Sequence, residues 1–404
     1  MKIQPASRIR RLPPYVLGRL KQLIYERRKQ GADVIDLNMG NPSDAPPDAV
    51  VDKIREAVSD PRNSRYSVSK GLYNLRRDLA QKYRRKWGVE LDPDKEVIAT
   101  IGSKEGFSHM CLAMLGPGDI AVVADPAFQI HTYAVILAGA STVQVPLGND
   151  DAFLRRIEDV LEHMTPKPKT VILNYPHNPT TMTVEPAFFE KVVELAARHQ
   201  VTIMHDFAYG ETCFDDYKAP SYLAAPGAKE FGVEFSTLSK PYNMAGWRIG
   251  FCAGHPEMIN ALGTIKGYYD YGIFQAVQIA AIIAMREGDE HVQKQAELYQ
   301  QRRDVMVRGL QRLGWEVESP KATMFVWARI NPEHLARYNN STEEFCLAMV
   351  DQAEVAMTPG AAFGSRGEGY VRMALVENEH RIRQALRQLT RVLNRSAPAT
   401  SAPG

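Results

Sequence analysis

The sequence has 404 residues, 45% of them hydrophobic, and balances 49 Lys and Arg against 47 Asp and Glu for a formal net charge of +2. A chain this long exceeds what one small core serves, so two domains, or one large α/β domain with an appendage, are expected. The near-neutral charge removes the electrostatic case for a nucleic-acid or membrane partner. The short clusters Arg8 to Arg11 and Arg84 to Lys86 read as solvated faces. Cysteines 111, 213, 252 and 346 have neither CxxC nor metal-ligand spacing. They read as free thiols of a reduced compartment, and no metal is expected. The amino terminus lacks the apolar stretch of a secretory signal, and the longest apolar run, Phe274 to Met285, is too short to span a bilayer. A soluble, cytoplasmic protein is expected, with a disorder-like tail over 396–404.

Val16 to Arg28 has helical apolar spacing, Gly31 breaks it, and Val34 to Leu37 reads as a short strand ending in Asn38-Met39-Gly40-Asn41-Pro42. Ala49 to Val58 and Leu72 to Trp87 read as amphipathic helices, with Tyr66 in the loop between them. From Glu96 the pattern becomes strand and helix in alternation. Strands are expected at Val97 to Ile101, Ile120 to Ala124, Thr142 to Val145, from Thr170, at Val201 to His205, Phe231 to Leu238 and Ile249 to Ala253. Helices are expected near Lys104 to Leu115, Ile130 to Ala138 and Ala187 to His199. Such alternation predicts a mostly parallel sheet covered on both faces. Long helical patterns run to about Leu313. Beyond them come strands at Met324 to Ala328, Val355 to Met357 and Tyr370 to Leu375, with helices near Glu343 to Gln352 and His380 to Asn394.

Chemistry-bearing residues cluster at the strand ends. Gly102-Ser103-Lys104 falls where a strand hands over to a helix amino terminus, a position that binds anions through amide N–H groups and the helix dipole, although any βα turn can carry Gly and Ser. Phe128 follows the next strand, where a ring can stack on a planar ligand or simply serve the core. Asp206 ends a buried strand, where a carboxylate caps a helix or meets a cation. Arg372 lies among apolar strand residues and needs an anion, either a protein acid or a ligand carboxylate. Ser239-Lys240 on its own is most simply a strand ending in a surface lysine. In a buried cleft the same lysine has a lowered pKa and attacks carbonyls.

Taken together, Thr237-Leu238-Ser239-Lys240 and Gly246-Trp247-Arg248-Ile249-Gly250 resemble the lysine motif of the fold-type I pyridoxal-phosphate enzymes, specifically the class I and II aminotransferases. Thr237 stands where that motif has its first serine. The resemblance runs from about Leu12 to about Asn394. It implies a large domain over 46–290 with a mostly parallel seven-stranded sheet sandwiched by helices, and a smaller α+β domain from 1–45, which includes an amino-terminal arm, and 291–395. It also implies the roles. Lys240 carries pyridoxal 5′-phosphate and moves the substrate proton. Gly102, Ser103, Lys104, Thr237 and Arg248 hold the phosphate, and Phe128 stacks on the ring. Asp206 faces the ring nitrogen, and Asn178 and Tyr209 donate to the phenolate oxygen. Arg372 takes the substrate carboxylate, with Gly40 and Asn178 beside it, and Tyr15 closes over the substrate side chain. Tyr66 reaches the phosphate of a second subunit, which implies a homodimer with shared sites. Thr181 replaces the glycine of the family's Asn-Pro-Thr-Gly loop, so the shape of that loop is open. The expected reaction exchanges an amino group between an L-amino acid and a 2-oxo acid, of the alanine/2-oxoglutarate (glutamate-pyruvate) type. An LL-diaminopimelate or broad-specificity aminotransferase and, more distantly, a carbon-sulfur β-lyase are the alternatives.

Overall fold

The computed structural model describes residues 3–13 and 16–394, so Tyr15 and the tail over 396–404 lie outside the described residues. The chain divides into two compact units. The larger unit, residues 3–13, 41–298 and 321–323, is built on a seven-stranded sheet. Its strands are β1 (Val97–Thr100), β2 (Ile120–Asp125), β3 (Ser141–Pro146), β4 (Thr170–Asn174), β5 (Thr202–Asp206), β6 (Gly232–Thr237) and β7 (Gly250–Gly254). They lie in the order β1-β7-β6-β5-β4-β2-β3. Every pairing is parallel except those of β7, which runs antiparallel to both β1 and β6. The reversal has a local cause. Between Thr237 and Gly250 the chain makes only the 3-10 turn Ala245–Trp247, too little for the helical crossover that a parallel return requires.

Successive strand residues alternate between two separate apolar cores, as a pleat buried on both faces requires. Val97, Ala99, Val122, Ala124, Val171, Leu173, Ile203, Phe251 and Ala253 feed one core. Ile98, Ala121, Val123, Ile172, Met204, Val233, Phe235 and Cys252 feed the other. The same alternation aims the last residues of β5. Asp206 shares the face of Met204, whereas His205 points to the opposite core. Helices Ser103–Met114, Gln129–Leu137, Asp150–His163 and Pro186–His199 follow β1 to β4. The third of these went unrecognised in the sequence. The Asn149 side chain caps it by accepting from the Ala152 amide at 2.9 Å, and Phe153, Leu154, Ile157 and Leu161 form its buried stripe.

The smaller unit, residues 16–40, 299–320 and 324–394, is α+β. Its four-stranded antiparallel sheet has the order Thr358–Pro359, Tyr370–Ala374, Phe325–Arg329, Glu316–Val317. Ile35–Asp36 pairs in parallel with Val355–Ala356. The closing helix Glu379–Leu393 buries Ile382, Ala385, Leu386, Leu389 and Leu393, one face at helical spacing. The unit boundaries differ from the expected 45/46 and 290/291. Residues 3–13 belong to the larger unit, where Arg11 donates to the Ala140 carbonyl at 3.2 Å. Residues 41–45 belong there too, with Asn243 donating to the Ala45 carbonyl at 3.2 Å, and the far boundary falls inside helix Asp289–Arg312. The four cysteines are free, and among the described residues no helix is long and apolar enough to cross a membrane.

Candidate active site

In the larger unit the expected site residues converge at the carboxyl ends of β1, β2, β4, β5 and β6. Gly102 is the N-cap of helix Ser103–Met114 at φ +75°, and no side chain caps it. An N-cap without a side chain lets an anion approach the first-turn amides. A Cβ on Gly102 would lie 2.2 Å from Arg248 Nη2, and one on Gly250 would lie 2.5 Å from the Ser103 nitrogen. Only glycine lets β7 and the guanidinium come this close to the turn. Arg248 itself is held at φ +56°, a costly conformation for a non-glycine residue. Its Nη1 donates to the Ala245 carbonyl at 2.7 Å and its Nη2 to the Ile101 carbonyl at 3.4 Å, so the charge is aimed at the turn that carries Ser103 and Lys104.

Asp206 is 8% exposed, and its Oδ2 accepts from His131 Nε2 at 2.9 Å. His131 comes from helix Gln129–Leu137, three residues after Phe128, and the two rings meet edge-on with centroids 5.8 Å apart. The Lys104 ammonium lies 5.9 Å from the Phe128 ring centre. Asn174, the last residue of β4, donates to the Asp206 carbonyl at 2.8 Å and accepts from the Asn178 amide at 2.8 Å. One buried amide thus ties together the ends of two strands and the loop that carries Asn178. Tyr209 is buried in the turn after β5, where its carbonyl accepts from the Thr212 amide at 3.0 Å. Burial, with the neighbouring His131, pushes His177 down to about 3, so this imidazole is a neutral wall of the site.

The loop question raised by Thr181 has a definite answer. Thr181 takes φ +64°, and its amide donates to the His177 carbonyl at 2.8 Å while the His177 amide donates to Met182 at 2.9 Å. The left-handed turn is kept by a β-branched residue at a conformational cost. Lys240, half-buried, follows a turn closed by Thr237, whose Oγ1 accepts from the Ser239 amide at 3.1 Å and lies 3.0 Å from the Ile249 carbonyl. The Thr237 hydroxyl thus helps to shape the lysine loop. Just beyond it, Tyr242 accepts from Lys82 at 2.9 Å. Lys82 and Lys86 both bind Glu211, two residues after Tyr209. Burial alone would raise the Glu211 carboxyl, but the two ammonium groups outweigh it and hold it below its usual range.

Tyr66 stands apart from this cluster. It is 85% exposed and packs on Tyr271 with centroids 4.8 Å apart. In the smaller unit, Arg372 is 6% exposed and donates from Nη2 to the Asn38 carbonyl at 3.2 Å. Gly40 is also explained locally, because a Cβ there would lie 2.5 Å from the Phe325 ring. His131 and the Lys82–Glu211–Lys86 cluster are the functional neighbours that the sequence reading missed. For His131 the available signal was its place one helical turn beyond Phe128.

The donor set fits pyridoxal phosphate. It offers an uncapped helix amino end with an arginine for the phosphate, a buried carboxylate for a protonated ring nitrogen, a flat aromatic beside it and a lysine. Residues 32–389 match the family described as aminotransferase class I and II. The chain is 46% identical to the glutamate-pyruvate aminotransferase AlaC of Escherichia coli K12, over 94% of this chain and 92% of that protein. It is 42% identical to an LL-diaminopimelate aminotransferase of Halothermothrix orenii, over 96% and 98%. A solved structure of a probable N-succinyldiaminopimelate aminotransferase from Thermus thermophilus superposes with a TM-score of 0.86 at 32% identity, over 93% and 99%. The chain therefore belongs to the class I and II aminotransferases and is a pyridoxal-phosphate-dependent transaminase.

Proposed function

We propose that the protein exchanges amino groups between L-alanine or L-glutamate and the 2-oxo acids pyruvate and 2-oxoglutarate. The observation that carries the choice of substrate is the 46% identity to a glutamate-pyruvate aminotransferase across 94% of the chain. The 42% identity to an LL-diaminopimelate aminotransferase keeps that substrate as the second reading. When bound, pyridoxal phosphate supplies the electron sink that lets the substrate lose its α-proton. Lys240 would anchor the cofactor and, with its amine set free by the substrate, would take the α-proton and deliver it to the cofactor carbon that comes to bear the amino group, so one amine would serve as both anchor and acid-base. Gly102, Ser103, Lys104, Thr237 and Arg248 grip the phosphate, and Thr237 also shapes the turn that presents Lys240. Asp206 keeps the ring nitrogen protonated, with His131 fixing the carboxylate. Phe128 stacks on the ring, and Asn178 and Tyr209 donate to its phenolate oxygen. Arg372 binds the substrate carboxylate, with Gly40 and Asn178 supporting it. Tyr15 remains assigned to the substrate side chain.

The same reading makes the protein a homodimer in which Tyr66 completes the partner's phosphate site. Its support is an exposed aromatic surface around Tyr66, with Tyr271 62% and Phe274 47% exposed, more than a solvated monomer face usually carries. Free thiols favour a reducing, cytoplasmic setting. The test is a single-turnover panel. L-Alanine or L-glutamate, given alone, should convert the cofactor once to its amine form and release one equivalent of 2-oxo acid. Faster conversion by LL-diaminopimelate would overturn the substrate choice, and continuous ammonia release without a 2-oxo acid would mark a β-lyase.

A further inference from the structure

The surroundings of Arg372 are aromatic. Its Cζ lies 4.0 Å from the ring centre of Phe325 and 4.6 Å from that of Phe363. Sheet register explains why. Trp327 is directly opposite Arg372, so Phe325, two residues along, and Tyr370, two residues from Arg372, share its face of the sheet. Trp327 stacks on Tyr370 with planes 6° apart and meets the edge of Phe363 at 6.1 Å. Phe325 and Phe363 are buried, at 2% and 5% exposure, and so have little room to turn away. A protein carboxylate could fix a guanidinium equally well, but it would neutralise the charge and occupy the N–H donors. Aromatic faces attract the cation and set its plane without taking a single N–H.

We propose that Phe325 and Phe363 are positioning residues that hold the Arg372 guanidinium ready for a substrate carboxylate, and that Gly40 contributes by leaving room for the Phe325 ring. The inference rests on the reading of Arg372 as the carboxylate-binding group. The placement of Gly40 supports it independently, since any side chain there would push on Phe325 at 2.5 Å. Elsewhere the guanidinium is tethered to a rigid frame. Nη2 reaches the Asn38 carbonyl at 3.2 Å, and Thr358 Oγ1 donates to that carbonyl at 2.9 Å.

The experiment compares Phe363→Leu, Phe363→Tyr, Gly40→Ala and Arg372→Leu holoenzymes. It reads KM and kcat for L-glutamate, the rate with an alkylamine that has no carboxylate, and calorimetric binding of 2-oxoglutarate to the pyridoxal form, which cannot turn it over. Phe363→Leu and Gly40→Ala should raise KM and the 2-oxoglutarate Kd together by roughly 3- to 30-fold, the worth of a desolvated cation–π contact. In Phe363→Leu the alkylamine rate and the cofactor's absorbance should stay unchanged, and Phe363→Tyr, which keeps the ring, should remain near the parent protein. If Arg372→Leu raises both constants while Phe363→Leu and Gly40→Ala stay within twofold, the clamp is refuted. If Arg372→Leu leaves both constants unchanged, the carboxylate reading beneath it fails. An equal loss of alkylamine reactivity in Phe363→Leu also overturns the proposal, because the damage would then be general.

Discussion

Replacing Gly102 by alanine tests the phosphate end of the site with a single methyl group. Two costs arise. At φ +75° and ψ 157°, a region nearly closed to side chains, a Cβ is disfavoured by about 1–3 kcal/mol, and that term falls on folding. The methyl would also lie 2.2 Å from Arg248 Nη2, so the guanidinium must leave its position against the turn. Arg248 is exposed and can swing outward, which leaves the protein folded and transfers the second cost to ligand binding. A charge-assisted hydrogen bond contributes about 1.5–3 kcal/mol, so the cofactor's Kd should rise roughly 10- to 150-fold. The assay is titration of the apoenzyme with pyridoxal phosphate, followed by protein fluorescence, with Arg248→Ala and the double variant alongside. Because both changes remove the same contact, the double variant should lose little more than Arg248→Ala alone. A Kd within twofold of the parent, or fully additive losses, would refute the reasoning.

Three further perturbations have defined outcomes. Asp206→Asn removes the charge that faces the ring nitrogen and should lower the single-turnover rate at least 100-fold, on the order of 3 kcal/mol, while the cofactor still binds; a rate within threefold of the parent contradicts the assignment. Thr181→Gly relieves a left-handed threonine and should stabilise the protein by roughly 0.5–1 kcal/mol after the added chain entropy of glycine, read as a higher thermal midpoint. An unchanged or lower midpoint would show that the turn carries no strain. Glu211→Gln leaves the buried Lys82 beside Lys86 without a counter-charge and should cost about 3 kcal/mol at pH 7 by denaturant titration. Because the Glu211 pKa is lowered on folding, its stabilisation is complete above the ordinary value near 4.5 and disappears as pH falls through the folded value. The gap between parent and variant should therefore narrow progressively as pH falls below the ordinary carboxyl value near 4.5, and a gap of constant size from pH 7 into acid excludes this origin.

Strand and helix alternation was legible because every large-sheet strand except the edge strand β3 is buried on both faces and reads as one largely apolar run. The residues placed just past those runs, Gly102, Phe128, Asn178, Asp206 and Lys240, do gather at one end of the sheet. What escaped was contact between distant positions. Nothing local to Lys82 and Glu211, 129 residues apart, marks them as partners, and the same holds for His131 and Asp206. Helix Asp150–His163 escaped because a polar start, Asn149-Asp150-Asp151, resembles a loop until its capping bond is seen. The part Thr237 plays in the turn beneath Lys240 also escaped, because its contacts with the Ser239 amide and the Ile249 carbonyl cannot be read from the hydroxyl's identity. The arm falls in the larger unit, where it packs near helix Gln129–Leu137 and Arg11 bonds to the Ala140 carbonyl, contacts invisible in composition.

The most direct test of the account is to reduce the yellow holoenzyme with borohydride, digest it and map the fluorescent pyridoxyl peptide by mass spectrometry. The account predicts a single modified residue, Lys240, and no labelling after a pretreatment with L-glutamate has converted the cofactor to its amine form. Labelling at Lys104 or another lysine, or labelling that survives the amino-acid pretreatment, would contradict it.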